Sequence, residues 1–583
     1  MLDLLITGAT LIDGTGAPGR RADVGVRDGR IVAIGDPGID EPAARTIDAT
    51  GLAVAPGLID VHTHYDAQLC WDPYATPSPL HGTTTVIAGN CGFSLAPVQA
   101  RDADYLTRLL ARVEGMPLES LVEGVPFDWS TFGEYLDRFE GNVGVNVGFF
   151  VGHTALRQMV MGDDHERPAT PEELEAMIAL LHASIEAGGL GYSTSIATTH
   201  NDAAGRPVPS RFATLDEHVA LSRAAGEHEG TALEVVPSPG SFNAETIEML
   251  ASSSAAADRP INWNLMNVST QLWEACEQRM AASDYAATKG GFVLGLALPN
   301  PSALRLTFLS GFIIDVLPVF SQLFELPLDQ RKRVLASQEG RWLLRRGVDT
   351  PAGKALYYLV DWAGLTISQT FAPANEGCAG RLVGDIAAER GVDPFDCLCD
   401  IVVADDLRTL ILTPARGADD ESWALREKVV RDKRTIVGGS DSGAHLDMLD
   451  TFTVPSTLLG PTVRDRKMLT LEEAVHALSG APAALYGLKD RGTVAIGHYA
   501  DLLVFDPQRI GPREVALRSD LPAGASRLYG EADGIAHVFV NGVEIVTDNR
   551  FTGALPGRVI RSGRDTETVT VAKARALSDA GVL

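Results

Sequence analysis

Between about residues 56 and 489, short apolar β-type runs alternate with longer helical patterns, and this rhythm limits the fold more than any other feature of the chain. The runs include Thr84 to Gly89, TALEVVP, PINWNLMNV, GFVLGLALP and RTIVGGSD, separated by stretches such as PEELEAMIALLHASIEAGG and LDEHVALSRAAGEHEG. Repeated strand–helix units of that length favour an α/β fold with a parallel (β/α)8 TIM-like barrel over two separate sheets. The flanks differ in kind. Residues 1–55 and 490–583 read as strands broken by Gly and Asp turns, with Asn541-Gly542 a two-residue hairpin turn. The expected architecture is a barrel over 56–489 spliced between the halves of a small β-sandwich built from both chain ends. The Leu- and Arg-rich passage at about 301–380 breaks the rhythm and reads as a helix-rich insertion over the barrel mouth.

Composition narrows the function classes. The 583 residues are 45% hydrophobic and 21% charged, which suits a large buried core. A net charge of −27, from 49 basic and 76 acidic residues, disfavours nucleic acid and anionic lipid as partners. Six scattered cysteines form no dense disulfide framework, which points to a reducing, cytoplasmic setting. The opening MLDLLITGATLIDGTG lacks the pattern of a signal peptide. The apolar run Leu309 to Phe320 is broken by Asp315 and Pro318, short of the ~20 residues a bilayer needs. A small-molecule substrate is the expected partner, and a homo-oligomer stays open.

The apolar run PGLIDV ends in His62-Thr63-His64. Two histidines at i and i+2 on a strand face the same way, so both imidazoles reach one metal ion at the end of the strand where barrel active sites sit. Asp441 in IVGGSDSGAH is delivered by another apolar strand, with glycines on both sides leaving room for a substrate. Its plain alternative is a helix N-cap. Cys91, between Asn90 and Gly92, reads by itself as an inert thiol in a tight turn.

The segments APGLIDVHTHYD, HGTTTVIAGNCGFSLAPV, GGSDSGAH, GHYADLLVFD and TGALPGR together resemble the amidohydrolase superfamily, specifically its D-aminoacylase (N-acyl-D-amino-acid deacylase) branch. The resemblance spans nearly the whole chain. It implies a metal-dependent barrel that hydrolyses amide or related C–N bonds through metal-activated water. It further implies His62 and His64 as metal ligands, Cys91 as a ligand or bridge, and Asp441 as ligand or general base.

One departure matters more than any match. The family takes further ligands from histidines on the middle strands, yet no histidine lies between His228 and His445. The polar residues at the corresponding places are Glu234 and either Asn262 or Asn264. An acid inside an apolar strand needs a partner or a metal, so Glu234 is a candidate ligand or active-site acid, with an ion pair as the alternative. Lys289 and Lys354 fall in loops or helices and do not suggest a carboxylated bridge. One divalent ion per chain, zinc by preference, is therefore expected.

Around that centre, His153, His200, Asn264 and His445 are the candidate substrate-binding residues. His445, four residues after Asp441, could orient it if the turn were helical. His182, His218, His228 and His476 read as surface residues. Arg157, Arg206 and Arg211 are weaker candidates for binding a carboxylate, and Arg341, Arg345 and Arg346 of the insertion could reach the mouth as a lid. Besides amide hydrolysis, the same single-metal site could run cyclic-amide hydrolysis or decarboxylation. A different class is an inactive barrel kept for binding or assembly, against which the joint presence of His62, His64, Cys91 and Asp441 argues.

Overall fold

A computed structural model describes residues 1–238, 240–311, 313–348 and 357–583. Its centre is a set of parallel strands in two sheets. One sheet runs through Leu58–Asp60, Thr83–Ala88 and Asn146–Phe149. The other runs through Val151–Gly152, Gly191–Ser195, Ala232–Val236, Ile261–Met266, Val293–Ala297 and Thr435–Val437. Only Phe150 separates the strand ending at Phe149 from the one starting at Val151. On the far side, Thr63 and Ser442 form an isolated parallel bridge, and the His64 N–H donates to the Ser442 carbonyl at 2.8 Å. Strands such as Thr83–Ala88 and Ala232–Val236 are buried at every position, as parallel strands covered on both faces require.

Helices follow the strands where the sequence supplies a cap. Thr170 and Glu173 form a capping box with Pro171 in the first turn of Pro171–Glu186. Thr214, Asn243 and Asp419 cap Leu215–Gly226, Ala244–Ala257 and Asp420–Val430 through their side-chain oxygens.

Both chain ends meet in one nine-stranded sheet. The join is the antiparallel pair Ala53–Pro56 and Leu502–Phe505, flanked by Leu2–Leu11 on one side and Ile535–Val540 on the other. The Asn541-Gly542 turn closes the hairpin to Val543–Thr547, with φ of 48° and 79°, the left-handed pair a two-residue turn requires. Asp501 ties this sheet to the parallel strands. It forms a buried ion pair with Arg491, accepts the Asn541 N–H at 2.7 Å and accepts Asn146 Nδ2 at 3.1 Å. The tail then leaves the nine-stranded sheet. Val559–Ile560 pairs in parallel with Asn146–Phe149, so this part of 490–583 extends the central strands.

The insertion lies between Val293–Ala297 and Thr435–Val437 and reaches further than the sequence suggests. A three-stranded antiparallel sheet of Arg305–Leu306, Leu410–Leu412 and Thr366–Gln369 frames it. Phe308, Leu317, Phe320, Leu335, Phe395 and Leu398 form its separate core. Its arginines do not form the expected lid clamp. Arg341 pairs with Asp396 and Asp400, Arg345 pairs with Asp393 and Asp396, and Arg346 stacks 4.9 Å over the Trp342 ring. The aspartates come from the helix Pro394–Ala404 and its N-cap Asp393, about fifty residues away in the chain, so local spacing could not reveal them. Phe312 and Lys354 lie outside the described residues. Among the described residues, no helix is long and apolar enough to cross a membrane.

Candidate metal centre

The strand leading to the two histidines ends at Asp60 and the chain bends at Val61 and His62, so the pair lies just beyond the strand and not on it as the i, i+2 reading expects; the Thr63 hydroxyl donates to the Ile87 carbonyl at 2.8 Å. His62 and His64 are both buried, with ring centroids 5.4 Å apart. Cys91 closes the triangle. Its Sγ lies 3.5 Å from His62 Nε2 and 3.5 Å from His64 Nε2, and the donor atoms of all three residues fall within 4.8 Å of one another.

Cys91 reaches this point on a backbone turned back on itself, with φ of 74° at Gly89, 58° at Cys91 and 75° at Gly92. Gly89 has no substitute there, because a Cβ would sit 2.4 Å from the Phe150 carbonyl oxygen. Buried side chains hold the turn. Asp66 accepts the Gly89 N–H at 3.0 Å, Glu234 Oε2 accepts the Cys91 N–H at 2.8 Å, and Ser193 accepts the Gly92 N–H at 3.1 Å.

Asp441, also left-handed at φ 53°, comes from the loop after Thr435–Val437. Its Oδ1 lies 3.1 Å from His62 Nε2 and 3.8 Å from His64 Nε2, and accepts Asn264 Nδ2 at 3.0 Å. The opposite ring edges face other carboxylates. Glu234 Oε1 is 3.6 Å from His62 Nδ1, and Glu114 Oε1 is 3.4 Å from His64 Nδ1. The Asp441 side chain is 19% exposed, whereas those of Glu234 and Glu114 are 0% and 3% exposed, so Asp441 presents most surface to a ligand.

The electrostatics call for a cation. Burial pushes the Glu234 carboxyl up to about 8, against the Cys91 N–H, and the Glu114 carboxyl up to about 7, against His64. Burial and the surrounding carboxylates push the Cys91 thiol far up. Burial raises Asp441 too, but the two imidazoles beside it outweigh burial and hold the carboxyl well below its usual range. A thiol in such acidic company ionises only when a metal joins it. Two imidazoles and a cysteine are the donor set that zinc favours, so the residues present fit a divalent ion.

A cleft of about 350 Å³ opens onto this centre. His64, Cys91, Glu114 and Asp441 lie in its lining, together with His200, Asn264 and His445. His200 Nδ1 is within 2.8 Å of Ser195 Oγ. The turn from Asp441 to His445 is not helical, since both residues are left-handed, so helical spacing does not explain their proximity. His153 does not reach the cleft. Its Nδ1 contacts Thr194 Oγ1 and the Tyr192 hydroxyl at 2.9 and 2.8 Å, and its Nε2 contacts Glu217 at 2.9 Å, leaving neither nitrogen for a substrate. His218, expected at the surface, is buried with its ring 5.3 Å from that of His153. Arg157, Arg206 and Arg211 are held by Glu217, by Asp202 with Glu166, and by Asn201. Asn262 turns away to the Leu233 carbonyl and the Tyr486 hydroxyl, and Lys289 pairs with Glu248.

Sequence reasoning missed Glu114 and Arg279. Glu114 ends the helix Ala103–Val113, where an acid opposes the helix dipole; that anomaly was its only signal. Arg279, from the helix Trp273–Thr288, lines the cleft against the rings of Phe242 and Trp263, with its Nε donating to the Gly240 carbonyl. Arg416 lines the cleft as well.

Comparison with known proteins agrees with this geometry. The chain matches the Amidohydrolase family over residues 45–307 and 372–546, the gap falling within the insertion. It is 30% identical over 570 residues to a D-aminoacylase of Alcaligenes xylosoxydans xylosoxydans, across 96% of this chain and 97% of that protein. It is also 30% identical over 566 residues to an N-acyl-D-aspartate deacylase of the same organism, across 96% and 95%. A solved N-acyl-D-glutamate deacylase from Bordetella bronchiseptica, complexed with zinc and a phosphonate mimic of the tetrahedral intermediate, superposes with a TM-score of 0.63 at 26% identity, over 96% of this chain and 100% of that one. A D-aminoacylase described as having a binuclear metal centre, with one-metal activation and second-metal attenuation, gives 0.63 at 28% identity over the same shares.

Proposed function

The chain belongs to the amidohydrolase family, and from that premise we propose that it is a metal-dependent hydrolase of non-peptide carbon–nitrogen bonds, acting on an N-acyl-D-amino acid or a related small amide. The observation that carries the reading is the convergence of His62, His64 and Cys91 within 4.8 Å beside a cleft that His64, Cys91 and Asp441 line. The parallel strands are read as one (β/α)8 barrel, carrying the insertion after its seventh strand and a β domain drawn from both chain ends.

His62, His64 and Cys91 would hold the metal. When bound, a divalent ion polarises the scissile carbonyl and lowers the pKa of water towards neutrality. Asp441 is placed to take the proton of the attacking water and return it to the leaving nitrogen, because its carboxylate combines the greatest exposure with contact to both imidazoles. Asn264, donating to Asp441, fixes the carboxylate's orientation. Glu234 and Asn264 occupy the middle strands where two-metal relatives would need further histidines, which supports one ion per chain.

Arg279 supports an anionic substrate. Burial lowers its pKa, no carboxylate partner is seen for it among the described residues, and the adjoining wall of Val236, Phe242, Trp263 and Leu272 is apolar. A substrate carboxylate against Arg279 would leave the amide directed at the metal centre. The test is a panel of N-acetyl-D-amino acids, their L-enantiomers and uncharged amides, assayed with zinc. D-selective hydrolysis supports the reading. Turnover of uncharged amides alone removes the carboxylate contact, and silence across the panel moves the assignment to cyclic-amide hydrolysis or decarboxylation.

A further inference from the structure

We infer that Glu114 and Glu234 are positioning residues that hold the two metal-binding imidazoles from behind, with Glu234 also tying Cys91 into the same rigid unit. The inference rests on the reading of His62, His64 and Cys91 as ligands. It departs from the sequence expectation that Glu234 is itself a ligand.

The arrangement repeats at both histidines. Each presents Nε2 to Cys91 Sγ at 3.5 Å and Nδ1 to a buried glutamate, at 3.6 Å for Glu234 and 3.4 Å for Glu114. In both glutamates the oxygen aimed at the ring is Oε1, a buried atom with no hydrogen-bond partner, and His62 Nδ1 is likewise without one. Small movements would close both gaps to hydrogen bonds. A carboxylate at Nδ1 keeps the proton there, leaves the Nε2 lone pair for the metal and raises its basicity. The two carboxylates come from unrelated elements, the end of the helix Ala103–Val113 and the strand Ala232–Val236.

Glu234 has a second task. Its Oε2 accepts the Cys91 N–H at 2.8 Å while Oε1 faces His62, so one side chain spans two ligands of the same ion. Glutamine cannot do both. If its oxygen takes the Cys91 N–H, its amide N–H₂ faces a protonated Nδ1.

The test is the zinc affinity of the holoenzyme and of Glu114→Gln and Glu234→Gln, measured by competition with a chromophoric chelator. The cobalt-substituted proteins report Cys91 through their thiolate charge-transfer band. Each variant should bind zinc about 10- to 100-fold more weakly, and the cobalt band should shift in Glu234→Gln and stay put in Glu114→Gln. Glu217→Gln, a buried carboxylate engaged with His153 and Arg157, should bind zinc like the parent. If one variant fails to fold, the other decides. Parent-like zinc affinity in the folded variants overturns this inference and leaves the proposed function standing. A parent that binds no zinc overturns both. Weakened binding in an enzyme silent on the amide panel upholds the inference and removes only the substrate reading.

Discussion

His62 Nε2 lies 3.1 Å from Asp441 Oδ1, which brings the segment after the strand Leu58–Asp60 against the loop after the strand Thr435–Val437. The carboxylate lines the cleft beside His64 and Cys91. Asp441→Asn keeps the shape and removes the proton acceptor. We expect kcat to fall about 10²- to 10⁴-fold with the thermal melting curve little changed. Near-normal turnover would move the general base elsewhere.

Arg279 should act on binding more than on chemistry. Arg279→Met removes the guanidinium, with its stacking on Phe242 and Trp263, and leaves an unbranched apolar side chain in its place. KM for an N-acyl-amino acid should rise about 10- to 100-fold, as loss of a charged hydrogen bond implies, while an uncharged amide is turned over as before. Equal effects on both substrates would argue against a carboxylate contact.

The junction of the two halves depends on Asp501. In Arg491→Leu the Asp501 carboxylate stays buried without its cation and keeps only the Asn541 and Asn146 contacts. Breaking a buried pair in this way costs about 3–5 kcal/mol, which denaturant unfolding would register as a lower midpoint. An unchanged midpoint would mean that the junction is held by packing alone.

Truncation after about residue 488 should fail. It strips Leu502–Phe505 from Ala53–Pro56 and Val559–Ile560 from Asn146–Phe149, opening an edge in two sheets at once. Size-exclusion chromatography should find aggregate; a soluble, active fragment would contradict the shared sheet.

The sequence disclosed what is local. His62-Thr63-His64, the glycine-flanked Cys91 and Asp441, and the Asn541-Gly542 turn are short patterns whose backbone demands are written in adjacent residues. The strand–helix rhythm was legible because parallel strands buried on both faces stay apolar along their length. What depended on distant partners was hidden. Glu114 reaches His64 only through the packing of its helix, Arg341 and Arg345 turn to aspartates of another helix, and His153 is absorbed by Glu217, Tyr192 and Thr194. The extent of the insertion was obscured because the helices Val383–Arg390 and Pro394–Ala404 resemble those that follow the central parallel strands and reveal their allegiance only through the core they share with Phe308 and Phe320.

His62, His64 and Cys91 lie close enough to share one metal ion. Metal analysis of protein purified without chelator, set beside the double variant His62→Ala/His64→Ala, decides whether they do. We expect about one zinc per chain in the parent and nearly none in the variant. Equal metal content in the two proteins would contradict the site.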